Sequence, residues 1–495
     1  MFEPAFYMDS HHTWDLHWFR VPPFLILAYR MVILLLQQVA PIDLNLPEET
    51  WFDNMAIMPH QFPVLYVGRL LVALFGSGTV IMIYLTMRKV VKENLAFLFA
   101  LFYSIFSVSI LFSSYLRPES VVEFFLVLSL YFLCNFQVSQ KKRWLVFAGV
   151  VFGFSCATKY NASFFLVSAV LFLCLIRTSW RSFFRDSAIY GSASGVGFLM
   201  GNPYILWKYS SVGNDIIADY HTYKAGQSGN MGSHFENFLY YINNLGSFDK
   251  AGLIFWQFVL ILCIAVYTYK KIDLRIRPLL IILVFFPVSY IVFLCQFNYR
   301  AERNLIFINP FLFMAVCFFT SKLLASSKKW ITSATYLILF ATLFQLSYSS
   351  VDWLNKYNQP LPQDNVRQWI SQHADPGTTI IREFRSPLLD PSRYRVLYTF
   401  SAAVIRPDVL LALNPKYLVL AEFIYSITPD FRNEYPKKFG KWIWSKTPEF
   451  EDDNSRGIPL GTHFRIYDFE KIKKEFIENF HDEIEELKVQ TNSIY

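Results

Sequence analysis

Long apolar runs separated by short polar connections fill most of the first 350 residues. From Val64 onward they fall at about 64–87, 94–114, 120–138, 144–158, 161–176, 187–207, 251–269, 278–296, 305–320 and 330–350. Most are long enough, or nearly so, to cross a hydrocarbon core about 30 Å thick as helices. The apolar–polar alternation of membrane β-barrel strands does not occur in them. The pattern predicts an α-helical polytopic membrane protein with about ten spanning helices. An earlier run, 22–40, follows Val21-Pro22-Pro23 but holds Tyr29-Arg30 at its middle and Gln37-Gln38 near its end. It reads as a juxtamembrane helix in the outer interface, with Arg30 snorkelling to water.

Past Ser350 the pattern becomes that of a soluble domain. Asp364 to His373 predicts a helix with an Asp cap, and Asp375-Pro376-Gly377-Thr378 predicts a turn. Strands follow at about 378–384, 394–400, 416–423 and 463–468, and a charged helix starts at about Glu470. The expected organisation is a first outer loop with the juxtamembrane helix (1–63), a transmembrane domain (64–350) and a small α/β domain (351–495). The connection 208–250 is rich in Gly, Ser and Asn and predicts a mobile binding loop.

Charge orients the zigzag. Of the 495 residues 54% are apolar, 19% aromatic and only 17% charged, which suits a membrane protein and not a soluble one of this size. The net charge of +7 comes mostly from Lys and Arg between apolar runs. Alternate connections hold about 16 basic groups, including Lys141-Lys142-Arg143, Arg177-Arg181-Arg185 and Lys270-Lys271, against about seven on the other side. The positive-inside rule makes the first set cytoplasmic and places the C-terminal domain outside. The basic excess is then topological, with the lipid bilayer as partner and no nucleic acid. The six cysteines lie in or at the ends of apolar runs without Cys-x-x-Cys spacing, so they read as core packing. No Gly-rich nucleotide fingerprint occurs.

The outer face gathers ionisable residues from distant parts of the chain: Glu3, Asp9, Asp15, Arg20, Glu119, Lys159, His221, His234, Arg300, Glu302 and Arg303. Charges at a membrane boundary are costly unless solvated, paired or functional. A carboxylate here can take a proton from a hydroxyl or hold a divalent metal through oxygen, whereas His221 on its own reads more simply as a loop histidine than as a ligand. Lys159, Arg300 and Arg303 suit a lipid-linked phosphate, Arg through two parallel hydrogen bonds. Solvated helix-end charges and interfacial snorkelling are the simpler readings of Arg117-Pro118-Glu119 and of Lys159.

Several motifs in order complete the sequence reading: H-W-F-R-V-P-P-F (17–24), G-R-L-L-V-A-L-F-G (68–76), L-R-P-E (116–119), G-F-S-C-A-T-K-Y-N-A (153–162), G-N-P-Y-I-L-W (201–207) and Y-R-A-E-R-N-L-I-F-I-N-P-F (299–311). Together they resemble the polyprenyl-phosphate-sugar glycosyltransferases of the GT-C superfamily, such as protein O-mannosyltransferases and aminoarabinose transferases. The resemblance implies a polyprenyl-phosphate sugar donor, an inverting hexosyl or pentosyl transfer, and an extracytoplasmic lipid, glycan or protein acceptor. It implies a divalent metal in some relatives, with His221 matching an outer-loop histidine. In the family an acidic motif after the first transmembrane helix supplies the base. Phe2-Glu3 fall there, so Glu3 matches its Glu, Asp9 and Asp15 are rivals, and a preceding transmembrane helix is expected outside this sequence. Glu119 matches the second acidic position and Lys159 the basic residue of the T-K motif. The expected protein is a multi-pass membrane enzyme, of the plasma membrane if bacterial, with this chain weakly active. The alternatives are a transporter or flippase for a lipid-linked or anionic solute, and a non-catalytic relative. Transporters often place charges at mid-membrane depth, whereas here they lie at span ends.

Overall fold

Backbone polar groups in a bilayer must be satisfied within the chain, and helices do this for each apolar run. The computed structural model describes residues 19, 22–38, 62–177, 179–225, 233–247, 273, 276–298, 300, 302–326, 328–359, 362–383, 386–387, 389–399, 401–422, 434–452 and 463–485. The helices begin with α1 (Phe24–Gln37), α2 (Phe62–Met87), α3 (Glu93–Ser104), α4 (Ser107–Ser114) and α5 (Glu119–Ser139). They continue with α6 (Lys142–Cys156), α7 (Phe165–Ile176), α8 (Trp180–Gly201), α9 (Tyr209–Ala225) and α10 (His234–Ser247). Then come α11 (Arg277–Leu294), α12 (Asn309–Leu324) and α13 (Lys329–Tyr357). Among the described residues five helices are long and apolar enough to cross a membrane, or six if α3 and α4 form one bent span. The expected run 251–269 lies outside the described residues.

Three expectations need correction. The 208–250 connection is not a plain loop, since α9 and α10 occupy much of it. Arg30 does not reach solvent but is 4% exposed on α1. The run at 94–114 is broken, with α3 and α4 meeting at 57°. Two serines of α13 accommodate that break. The Ser350 hydroxyl donates to the Ile105 carbonyl, and the Ser107 and Ser349 hydroxyls lie 3.3 Å apart. A kink frees backbone groups, and hydroxyls from a neighbouring helix satisfy them.

The turn from α5 to α6 is tight because Gln140 is left-handed at φ 58°, closing the helix end with its N–H on the Phe136 carbonyl. Asp186 of α8 is fully buried nearby and pairs with Lys142, with Arg177, and with Arg185 at 3.5 Å. One carboxylate thus ties the starts of α6 and α8 to the end of α7. Further along, glycines let α6 and α8 touch backbone to backbone, as small residues do in membrane helix pairs. A Cβ on Gly149 would stand 2.5 Å from the Tyr190 carbonyl oxygen, and one on Gly201 would stand 2.6 Å from the Ala157 Cβ.

The described residues divide into two compact units, the first ending at Asp352 and the second starting at Trp353. The second holds a five-stranded sheet built from β1 (Thr379–Glu383), β2 (Arg395–Thr399), β3 (Tyr417–Ala421), β4 (Phe450–Asp452) and β5 (Phe464–Asp468). Its order is β2-β1-β3-β5-β4, with β2, β1 and β3 parallel and β5 antiparallel to both neighbours. Four strands match the sequence reading, whereas the three-residue β4 is too short to show a pattern. The helix α14 (Pro362–His373) starts at Pro362, so Asp364 sits in its first turn and not at the cap. The helix Phe469–Asn479 is capped by Asp468, which accepts the Glu470 N–H at 3.1 Å.

The glycine contacts make a sharp prediction. Gly149→Val should destabilise the detergent-purified protein by at least about 2 kcal/mol, because the new carbons meet backbone that cannot move aside. Gly195→Ala, which faces open space on α8, should be neutral or slightly stabilising. Equal thermal shifts for the two variants would contradict the close crossing.

Candidate functional site

Pro118 caps α5 and fixes its first turn, which places Glu119 at the helix start. Lys159 follows the end of α6, in extended backbone at φ −157°, just before the short 3₁₀ turn Tyr160–Phe164. A second 3₁₀ turn, Glu302–Ile308, leads into α12 and supplies Asn304. The three side chains meet. Lys159 Nζ donates to Glu119 Oε1 at 3.0 Å and to Asn304 Oδ1 at 3.2 Å. The ammonium also lies 4.9 Å from the centre of the Phe307 ring. Glu119 is 2% exposed and Asn304 fully buried, so solvated helix-end charge is not the arrangement found. Glu119 Oε2 has no hydrogen-bond partner among the described residues.

Arg303 and Arg117 lie within electrostatic reach of the pair. Arg303 also meets Tyr223 of α9, whose phenol touches Asn304 as well. Burial pushes the Tyr223 phenol above its ordinary range, although the positive charge of Arg303 pulls it the other way. Lys159, Arg303 and Arg117 gather around Glu119, so this part of the site presents cations that suit an anionic ligand. One turn deeper on α5, the fully buried Glu123 accepts the Tyr103 hydroxyl at 2.9 Å.

The structure brings together Glu119, Lys159 and Arg303 but puts other expected residues elsewhere. Arg300 donates from Nε to Asn237 Oδ1 at 2.8 Å, approaches Glu236 at 3.9 Å and lies over the Tyr240 ring. His221 is exposed on α9 beside Tyr220, and His234 Nδ1 sits 3.0 Å from the Cys295 carbonyl. Glu3, Asp9, Asp15 and Arg20 lie outside the described residues. Among the described residues no three His, Cys, Asp or Glu side chains gather as a metal ion requires. The sequence reading missed α9. Asp215, Asp219 and Tyr223 recur every four residues, which is a helix-face signal that its Gly and Ser content obscured.

Helices apolar and long enough to cross a bilayer, with a buried ion pair at the start of one of them, define a polytopic membrane protein with a polar site at a helix end. Residues 61–207, which include Glu119 and Lys159, match the family described as dolichyl-phosphate-mannose-protein mannosyltransferase. The resemblance to GT-C polyprenyl-phosphate glycosyltransferases drawn from the motifs therefore stands. No curated protein matches the chain by sequence. Among solved structures, the apo oligosaccharyltransferase of Archaeoglobus fulgidus aligns with a TM-score of 0.49 and 11% identity, over 85% of this chain and 65% of that one. ArnT from Cupriavidus metallidurans, bound to undecaprenyl phosphate, aligns with a TM-score of 0.49 and 13% identity, over 87% of this chain and 89% of that one. The chain thus spans under two thirds of the length of the archaeal enzyme.

The buried pair predicts a stability pattern. Lys159→Met alone should cost roughly 3–5 kcal/mol, because it strands a buried carboxylate. Glu119→Gln combined with Lys159→Met should cost less than the sum of the two single changes. Strict additivity in thermal or denaturant unfolding would show that the two side chains do not interact.

Proposed function

We propose that this chain is a membrane glycosyltransferase that moves a sugar from a polyprenyl-phosphate donor to an extracytoplasmic acceptor. The observation that carries this reading is the buried Glu119–Lys159 pair, joined by Asn304, because both charged members lie inside the stretch that matches the mannosyltransferase family. Lys159 and Arg303 contact the donor phosphate. As the acceptor oxygen bonds to the anomeric carbon, the carbon–oxygen bond to phosphate breaks and polyprenyl phosphate leaves with the electron pair. Fixed cations beside the leaving phosphate stabilise its growing charge without reorganising at that moment. Attack opposite the leaving group inverts the anomeric centre.

Glu119 holds Lys159 in place for this task. The proton of the acceptor hydroxyl goes to a carboxylate. Glu3 is the family match for that base, with Asp9 as its rival. A positioned base typically contributes about 10² to 10⁴ in rate. Among the described residues no cluster of three His, Cys, Asp or Glu occurs, and the candidate carboxylates Glu3 and Asp9 lie outside them. About ten spans, a cytoplasmic Lys141 and Lys271, and an outward Lys159, His221 and C-terminal domain complete the reading; the basic connections support it.

Two experiments test it. Arg303→Ala should weaken binding of dolichyl phosphate by about 1.5–3 kcal/mol through the loss of a charge-assisted bond. Arg300→Ala should lose less, because Asn237 and Glu236 already engage that guanidinium. Unchanged affinity for the folded Arg303 variant would remove the phosphate assignment. Cysteine labelling should reach position 141 and position 400 from opposite sides of the membrane. Labelling of both from the same side would contradict the topology.

A further inference from the structure

A second polar cluster adjoins the ion pair, and the roles given above do not use it. Tyr160, the neighbour of Lys159 in the chain, donates its hydroxyl to the Phe19 carbonyl at 3.2 Å. The Phe19 N–H in turn donates to Asp215 Oδ2 at 2.7 Å. Asp215 and Asp219, one turn apart on α9 and half-buried, both lie within electrostatic reach of the Tyr160 hydroxyl. Asn202, from the G-N-P-Y motif at the end of α8, faces the same hydroxyl. It is fully buried, and among the described residues neither its amide nitrogen nor its amide oxygen has a partner at hydrogen-bond geometry.

A buried amide with open donor and acceptor positions is costly unless something completes it. Asn202 shares the Tyr160 hydroxyl with two carboxylates within electrostatic reach of it, so the cluster combines several acceptors with an amide that can both donate and accept. Vicinal hydroxyls match such a set, since each can donate to a carboxylate and accept from an amide. A purely cationic ligand would not use the Asn202 amide nitrogen, and an anion would be repelled by Asp215 and Asp219.

We propose that Asn202, Tyr160, Asp215 and Asp219 form the subsite for the hydroxyl groups of the donor sugar. The proposal rests on the reading of Lys159 and Arg303 as the phosphate site. A sugar joined to that phosphate through one oxygen must lie beside the phosphate cations, and Asp219 borders them, because it lies within electrostatic reach of Tyr223, which meets Arg303 and Asn304. The subsite also has a consequence for selectivity. Sites that hydrogen-bond a substrate hydroxyl reject analogues lacking it, because their buried groups are then left bare.

The test compares bare dolichyl phosphate with dolichyl phosphate carrying mannose or glucose, each titrated onto the full chain in nanodiscs. At least one sugar-bearing lipid should bind about tenfold tighter than the bare lipid, equivalent to one or two net hydrogen bonds to charged or buried groups. Asp219→Asn and Asn202→Ala should each remove most of that increment while leaving bare dolichyl phosphate binding within about twofold, which also reports that the variants fold. An increment that survives in both variants overturns the subsite, as does a wild-type protein that binds bare dolichyl phosphate but gains nothing from either sugar. If the wild type fails to bind bare dolichyl phosphate at all, the phosphate site falls first and the sugar subsite with it.

Discussion

Taking a carboxylate and an ammonium out of water costs several kcal/mol per ion, and the attraction between them offsets this only with good geometry and further hydrogen bonds. Glu119 and Lys159 satisfy that condition because three chain segments converge on them. The Pro118-capped start of α5, the extended residue after α6 and the 3₁₀ turn before α12 each contribute one polar group. The pair is 40 residues apart in sequence and Asn304 is another 145 from Lys159. Losing either of the first two segments would leave a buried charge without its partner, and losing the third would take away the second acceptor of Lys159.

The rest of the helical unit serves to hold those ends in register. Opposite them, Asp186 gathers Lys142, Arg177 and Arg185, so each end of the α6–α8 layer has its own buried charge cluster. Between the clusters Gly149, Gly153, Gly197 and Gly201 let α6 and α8 pack at backbone distance, with no bulky side chain to pry them apart. The helix α9 then lies against the polar end, bringing Asp215 to Phe19 and Tyr223 to Arg303 and Asn304. A site for a lipid-linked phosphate needs cations, a way to keep them fixed, and an apolar approach for the prenyl chain. The bundle supplies the first two from side chains.

Much of this was legible in the residues. The period and length of the apolar runs predicted the helices, and the L-R-P-E and T-K-Y-N motifs marked the two halves of the ion pair. The strands of the C-terminal unit were equally readable, because β1, β2, β3 and β5 are short apolar runs bounded by turns. What could not be read depended on tertiary packing. Arg30 looks like a snorkelling residue in isolation, yet its helix buries it. Arg300 and Arg303 look equivalent in Y-R-A-E-R, and only the fold hands one to Asn237 and the other to the site. The polar face of α9 was hidden by Gly and Ser that suggested a loop, although its four-residue spacing was present all along.

The central claim is that a lipid-linked phosphate binds at the polar end formed by Glu119, Lys159, Asn304 and Arg303. The most direct measurement is photo-crosslinking of the full chain in liposomes with a polyprenyl phosphate carrying a diazirine near its phosphate, followed by peptide mapping. The account predicts labelling confined to segments around residues 115–119, 155–161 and 300–307, suppressed by excess unlabelled polyprenyl phosphate. Labelling centred instead on the basic groups at 141–143 and 177–185, or labelling that unlabelled lipid does not suppress, would contradict it.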